Sequence, residues 1–145
     1  MRELIFALLL ISSSLNMFGR LQAVDSVRVG GFYEHELPDD FDGGLGYFYK
    51  SEKQKQAGCY VFVFDLTTRL AVKLDGVFLV LPLVECDEKQ KHMVFANDNY
   101  KVTVSKQNTK AGEYESFTYS GFAVVESLKK KVRSSKIVFT GECVF

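Results

Sequence analysis

The chain has 145 residues, with 18 basic and 18 acidic side chains and a sequence pI near 6.7. Hydrophobic residues make up 47% and charged residues 25%, proportions that exclude wholesale disorder, and the length suits a single domain. The balance of charge excludes nucleic acid as an expected partner, because a polyanion selects a surplus of Lys and Arg.

Residues 1–23 read as an export address. Arg2 supplies a positive start, and Leu4 to Ile11 is an unbroken apolar run that continues weakly to Leu15. A run of this length has the size of a signal-peptide core and is too short to cross a hydrocarbon layer about 30 Å thick. The expectation is therefore a cleaved signal peptide over 1–23, with Ala23 before the cut, and one exported domain over 24–145. That domain would be periplasmic or extracellular and without stable membrane insertion.

From residue 24 onward the apolar pattern repeats every two residues. Val27 to Tyr33 alternates, and Leu45–Tyr49 follows a Gly-rich turn. Cys59–Phe64 and Val77–Val84 are apolar on both faces, as strands covered on two sides should be. Between them Leu70, Val72 and Leu74 share one face, and Asp75-Gly76 is a hairpin-turn signal. Pro82 marks an edge, a bulge or the end of pairing. Met93–Phe95 is a short strand; Tyr100, Val102 and Val104 alternate with Lys101, Thr103 and Ser105. Tyr114–Val125 accommodates one bent strand or two, with Gly121 at the bend. In the last segment Ile137, Phe139, Gly141, Cys143 and Phe145 share a face opposite Val138, Thr140, Glu142 and Val144. The segment Ser127–Arg133 is read as a solvated hairpin loop in preference to a helical turn. The prediction is an all-β fold: one antiparallel β-sandwich or small β-barrel of about eight to nine strands.

In an oxidising compartment, two of Cys59, Cys86 and Cys143 are expected to pair. The pairing read from the sequence is Cys59 with Cys143, because each lies within an apolar strand whereas Cys86 ends one and opens a charged turn. The densest polar cluster, Glu34, His35, Glu36, Asp39, Asp40 and Asp42, is the candidate binding surface, acting through carboxylates on a basic target. Asp40-Phe41-Asp42-Gly43 imitates part of a calcium loop, but Pro38 and Tyr49 stand where an acid and a bidentate Glu are needed, so no metal is assigned. His35 and His92 are the chain's two imidazoles, and His92 follows Cys86 by six positions, a spacing from which a thiolate–imidazolium pair could form. No nucleophile elbow, phosphate loop or zinc spacing is present; no catalytic residue and no cofactor are assigned. The run Lys129-Lys130-Lys131-Val132-Arg133 has no interleaved aromatics for base stacking and reads as a solubilising loop.

Gly58-Cys59, Ala71–Gly76 and Gly141-Glu142-Cys143 together resemble small exported bacterial β-domains, a likeness that implies compartment and fold and no catalytic residue. The reading that follows is a non-enzymatic exported domain that binds a protein or cell-envelope component, with an inhibitor of a foreign hydrolase as one form of it. The alternatives are a secreted hydrolase or metal-dependent protein using His35 or His92, and a small outer-membrane β-barrel, whose final strand ends in an aromatic residue as this one does. The sequence leaves the oligomeric state open.

Overall fold

The computed structural model describes residues 26–114 and 116–144, so the expected signal peptide lies outside the described residues. Chains of β-branched and aromatic residues, broken by Gly, Asp and Asn turns, set the strands. In order they are β1 (Val29–Gly30), β2 (Phe32–Tyr33), β3 (Leu45–Tyr49), β4 (Cys59–Tyr60), β5 (Phe62–Phe64), β6 (Arg69–Leu74), β7 (Val77–Cys86) and β8 (His92–Ala96). There follow β9 (Tyr100–Ala111), β10 (Phe117–Ser127), β11 (Val132–Arg133) and β12 (Ile137–Val144). A 3-10 turn covers Glu34–Glu36, and a short helix, α1, covers Glu52–Gln56.

Eight of these strands, β3, β5, β6, β7, β8, β9, β10 and β12, form an antiparallel ring in which neighbours in space are neighbours along the chain. The ring closes where β12 meets β3, with Thr140 opposite Tyr49 and Val144 opposite Leu45. Of the two architectures left open by the sequence, the barrel is the one that forms. Closure removes the sheet edges that would otherwise expose unpaired backbone.

The inward face of the barrel is apolar. Phe48, Phe62, Phe64, Leu70, Val72, Leu81, Phe95, Val104 and Phe139 are completely or almost completely buried there. Their rings meet edge to face, with Phe48 4.8 Å from Phe139 and Phe64 5.4 Å from Phe95 between centroids, a geometry that adds to simple area burial. The predicted alternation of β12 is present: Ile137, Phe139, Gly141 and Cys143 are buried, and Val138, Thr140 and Val144 are exposed.

A second layer covers part of the barrel's outside. Phe32 of β2, with Phe41 and Leu45, packs on Val63 and Ala71, the outward residues of β5 and β6, and Tyr60, Phe78 and Val80 extend this layer. Phe62–Phe64 and the stretch Phe78–Leu81 are thus walls between an inner and an outer core, whereas Val77 and Val84, at the ends of the second apolar run, are exposed and not covered on two sides. The remaining outer surface is mixed: Val138 and Val144 of β12 are exposed, while Lys101 and Arg133 lie 4.0 and 2.9 Å from the Glu126 carboxylate on neighbouring strands.

The predicted irregularities fall where expected. The register of β9 and β10 shifts between Ser120 and Gly121, Pro82 forms the last pair of β7 with β6, and Asp75-Gly76 turns with φ of 49° and 81°. Residues 128–131 form the turn joining β10 to β11. Helix α1 has no apolar periodicity and was not legible; Ser51 caps it by accepting a hydrogen bond from the Gln54 N–H.

The Cys59–Cys143 disulfide does not form: all three thiols are free. Cys59 lies on β4 in the outer layer with its sulfur against Gly31, whereas Cys143 faces the barrel interior. A strand wall separates them, and both lying in apolar strands carried no information about which side of that wall each faced. Cys86 is exposed at the end of β7.

Truncating Phe48, which touches Phe62, Tyr119 and Phe139, leaves a cavity in a core that cannot collapse around it. Phe48→Ala is expected to lower unfolding free energy by about 3–5 kcal/mol, measured by denaturant titration, with the outer-layer change Val80→Ala costing less.

Candidate functional site

One end of the barrel carries some of the polar residues the sequence singled out and others that it did not. Here β3 and β10 begin, β5, β7 and β12 end, and the loops 65–68 and 87–91 fold over the rim. Both loops are organised by an aspartate at their first position. The Asp65 carboxylate accepts hydrogen bonds from the N–H groups of Thr67, Thr68 and Arg69 at 3.0, 2.8 and 2.9 Å. The Asp87 carboxylate likewise accepts from the N–H groups of Lys91 and His92 at 2.7 and 3.2 Å. Each loop holds a non-glycine residue in the left-handed region, Leu66 at φ 66° and Gln90 at φ 54°. For a bulky side chain such as Leu this conformation costs about 1–3 kcal/mol and persists only where its surroundings fix it.

Leu66 and Gln90 both line a cavity of about 300 Å³ at the barrel mouth, together with Lys89, Lys106, Tyr119 and Cys143. The floor is the Tyr119 ring. It lies across Gly141, where any side chain would collide with the ring, and against Gly46, where a Cβ would come within 3.0 Å of the Tyr119 hydroxyl and 3.2 Å of Leu66. The two glycines make the space that the tyrosine fills. Its hydroxyl lies 3.8 Å from the Cys143 sulfur, and burial, reinforced by that thiol, pushes the phenol well above its ordinary value.

Lys106 stands on this floor with Nζ 4.4 Å from the Tyr119 ring centroid, a cation–π geometry. Burial holds its amino group below the ordinary lysine value, while Cys143, Cys86 and Asp87 pull in the opposite direction. Lys106 was not identified from the sequence, although it continues the inward face of Tyr100, Val102 and Val104 by one further step of two. The apolar pattern ends at Val104, and the next position of the same face is a lysine.

The six candidate binding residues divide between two places. Glu34, His35 and Glu36 lie on the barrel's flank: the Glu36 carboxylate accepts from the Tyr33 N–H at 2.8 Å and meets Lys73 at 3.5 Å. His35 stacks on Tyr33 with centroids 5.9 Å apart. Asp40 and Asp42 lie at the mouth, in a shallow depression that shares Leu66 with the cavity; Asp39 is exposed beside Asp40. Arg69 fastens the acidic loop to the rim, with Nη1 2.7 Å from Asp40, Nε 3.0 Å from Asp65 and the guanidinium 4.6 Å over the Phe41 ring. Glu36 and Asp40 therefore hold structure together, which their sequence pattern did not reveal.

His92 and Cys86 lie near each other at the start of β8 and the end of β7, but no hydrogen bond joins them. The Cys86 thiol donates to the Asp87 carbonyl, at 3.2 Å. No ion pair involves His35 or His92, and no group of three or more His, Cys, Asp or Glu side chains is arranged for a metal ion, among the described residues. No family model, curated protein or solved structure matches the chain, so the roles of these residues rest on their chemistry alone.

Burial would raise the Asp65 carboxyl, but the three backbone N–H groups and Arg69 override it and hold the group at about 2. A depressed carboxyl stabilises the fold above its unfolded value near 4 and loses that contribution as pH falls toward 2. Asp65→Asn is expected to cost about 1–3 kcal/mol at neutral pH and to flatten the loss of stability between about pH 4 and 2, followed by urea titration across that range.

Proposed function

We propose that this chain is an exported, non-enzymatic binding domain that engages a protein or cell-envelope component with the loop-bearing end of its barrel. The observation that carries the reading is the Asp40–Arg69–Asp65 network, which fixes the acidic loop to a rigid rim while Asp39 and Asp42 stay exposed beside it. A surface already ordered before contact loses little conformational freedom on binding. A hydrolase inhibitor that presents residues 37–44 to a cleft is one form of this function.

The other readings find less support. A hydrolase or metal-dependent protein would draw on His35 or His92, and neither imidazole forms an ion pair with a carboxylate among the described residues. An outer-membrane barrel places apolar residues toward lipid and polar residues inside; here phenylalanines fill the interior and Lys101, Thr103, Glu126 and Glu142 face outward. Export rests on the apolar run Leu4–Ile11, and an intact mass of the protein from its native host that begins near residue 24 is the result in its favour.

Since Asp40 holds the scaffold and Glu34 and Glu36 lie on the flank, the informative substitutions are Asp39→Asn and Asp42→Asn together. Immobilised wild-type protein is expected to retain an envelope component that elutes with rising salt, and the double variant to retain it at least tenfold more weakly with unchanged thermal stability. Retention indifferent to both salt and these substitutions would count against the acidic loop.

A further inference from the structure

We infer that the barrel mouth is a binding site for a small monocarboxylate with an apolar body, its carboxylate held by Lys106 and its body lodged between Leu66, Phe117 and the Tyr119 ring. This inference goes beyond the partner-binding reading and does not depend on it.

An eight-stranded barrel is just wide enough to be filled by its own side chains or to hold one small ligand. This barrel does both, at different levels. From the far end up to Tyr119 it is packed with aromatic rings. Above Tyr119 the packing stops and a cavity of about 300 Å³ opens toward solvent. That size is at the lower end of small-molecule sites, which favours a ligand of roughly ten heavy atoms over a nucleotide or an oligosaccharide.

The lining sets the sign of the charge. Lys106 and Lys89 contribute two amino groups, and among the described residues no acidic side chain lines the cavity. Lys106 is half-buried, and among the described residues it makes no ion pair. A charge withdrawn from water without a partner is costly. The Tyr119 ring face offsets part of this cost and leaves the other side of the ammonium open to an anion. Asp87 acts on Lys106 through its charge without forming an ion pair with it, and one of its oxygens accepts from the Lys91 and His92 N–H groups.

The lining also sets the polarity of the rest of the ligand. Leu66, Phe117, the Tyr119 ring and the Cys143 thiol form an apolar wall, with Thr109 and Gln90 at its polar margin. A free phosphate would leave that wall wet, and an alcohol would leave the ammonium unpaired. The strained Leu66 belongs to the same wall. Its left-handed backbone, held by Asp65, places the side chain over Gly46 and Tyr119. An unstrained loop would point it elsewhere.

The probe is n-octanoate, with octan-1-ol, octylamine and inorganic phosphate as controls, titrated into the domain and followed by calorimetry and by side-chain NMR shifts. Octanoate is expected to bind with a dissociation constant on the order of 0.1–1 mM, with shifts confined to Lys106, Tyr119 and Leu66 and none at Tyr60 or Leu128. Octanol and phosphate should bind at least tenfold more weakly and octylamine not at all. Lys106→Met, which keeps the apolar stem, should weaken octanoate at least tenfold and leave octanol unchanged. The inference is overturned if octanoate fails to shift Lys106 in the wild-type protein, if octylamine or octanol binds as well as octanoate, or if Lys106→Met binds octanoate undiminished. The wild-type shifts decide the matter even should the variant fold poorly.

Discussion

The pairing of β12 with β3 converts a run of hairpins into a closed surface, and the other features of the molecule follow from it. Every other contact in the ring joins strands that follow each other along the chain, so each can form locally. The β12–β3 pair joins residues about a hundred positions apart, and its loop-closure entropy is recovered only when the interior fills. That filling is aromatic: Phe48 on β3 and Phe139 on β12 stack edge to face across the seam. On the outside, the Tyr49 hydroxyl donates to Glu142 at 2.8 Å, and Lys55 of α1 meets the same carboxylate at 3.3 Å. The seam is thus held by packing within and by charge and hydrogen bonding without.

Closure also explains why the two ends of the barrel differ. The seam strands carry glycine at 46 and 141, and the space so created is taken by the Tyr119 ring. Larger residues at those positions would have displaced the tyrosine. The tyrosine in turn ends the packed interior, and what lies above it is an open mouth bounded by two aspartate-organised loops. Rigidity and vacancy are both consequences of where the large and small side chains fall along three strands.

Much of this was legible in the sequence. The alternation of β12, the bend at Gly121, the end of pairing at Pro82 and the Asp75-Gly76 turn are local signals, set by the two-residue period and by backbone preferences. Two-faced apolar runs announced a covered strand but not by what: the outer layer depends on Phe32 and Phe41 folding back from a distant segment. The free thiols have the same origin, since period two gives the side of a strand and says nothing about which sides of distant strands meet. Lys106 was missed because a charged residue ends an apolar pattern to the eye, although its position in the period placed it inside. The acidic segment was visible as a cluster, yet Arg69 and Lys73, which divide it into structural and exposed members, lie some thirty residues away.

The central claim is that the first and last strands of the ring pair, which separates a closed barrel from an open sandwich built of the same segments. Cross-strand nuclear Overhauser effects between β3 and β12 test it most directly. A closed ring gives contacts between Gly46 and Cys143 and between Phe48 and Gly141, following the observed register, with amides of both strands slow to exchange. Absence of those contacts, with fast exchange along β3 or β12 as free edges, would contradict it.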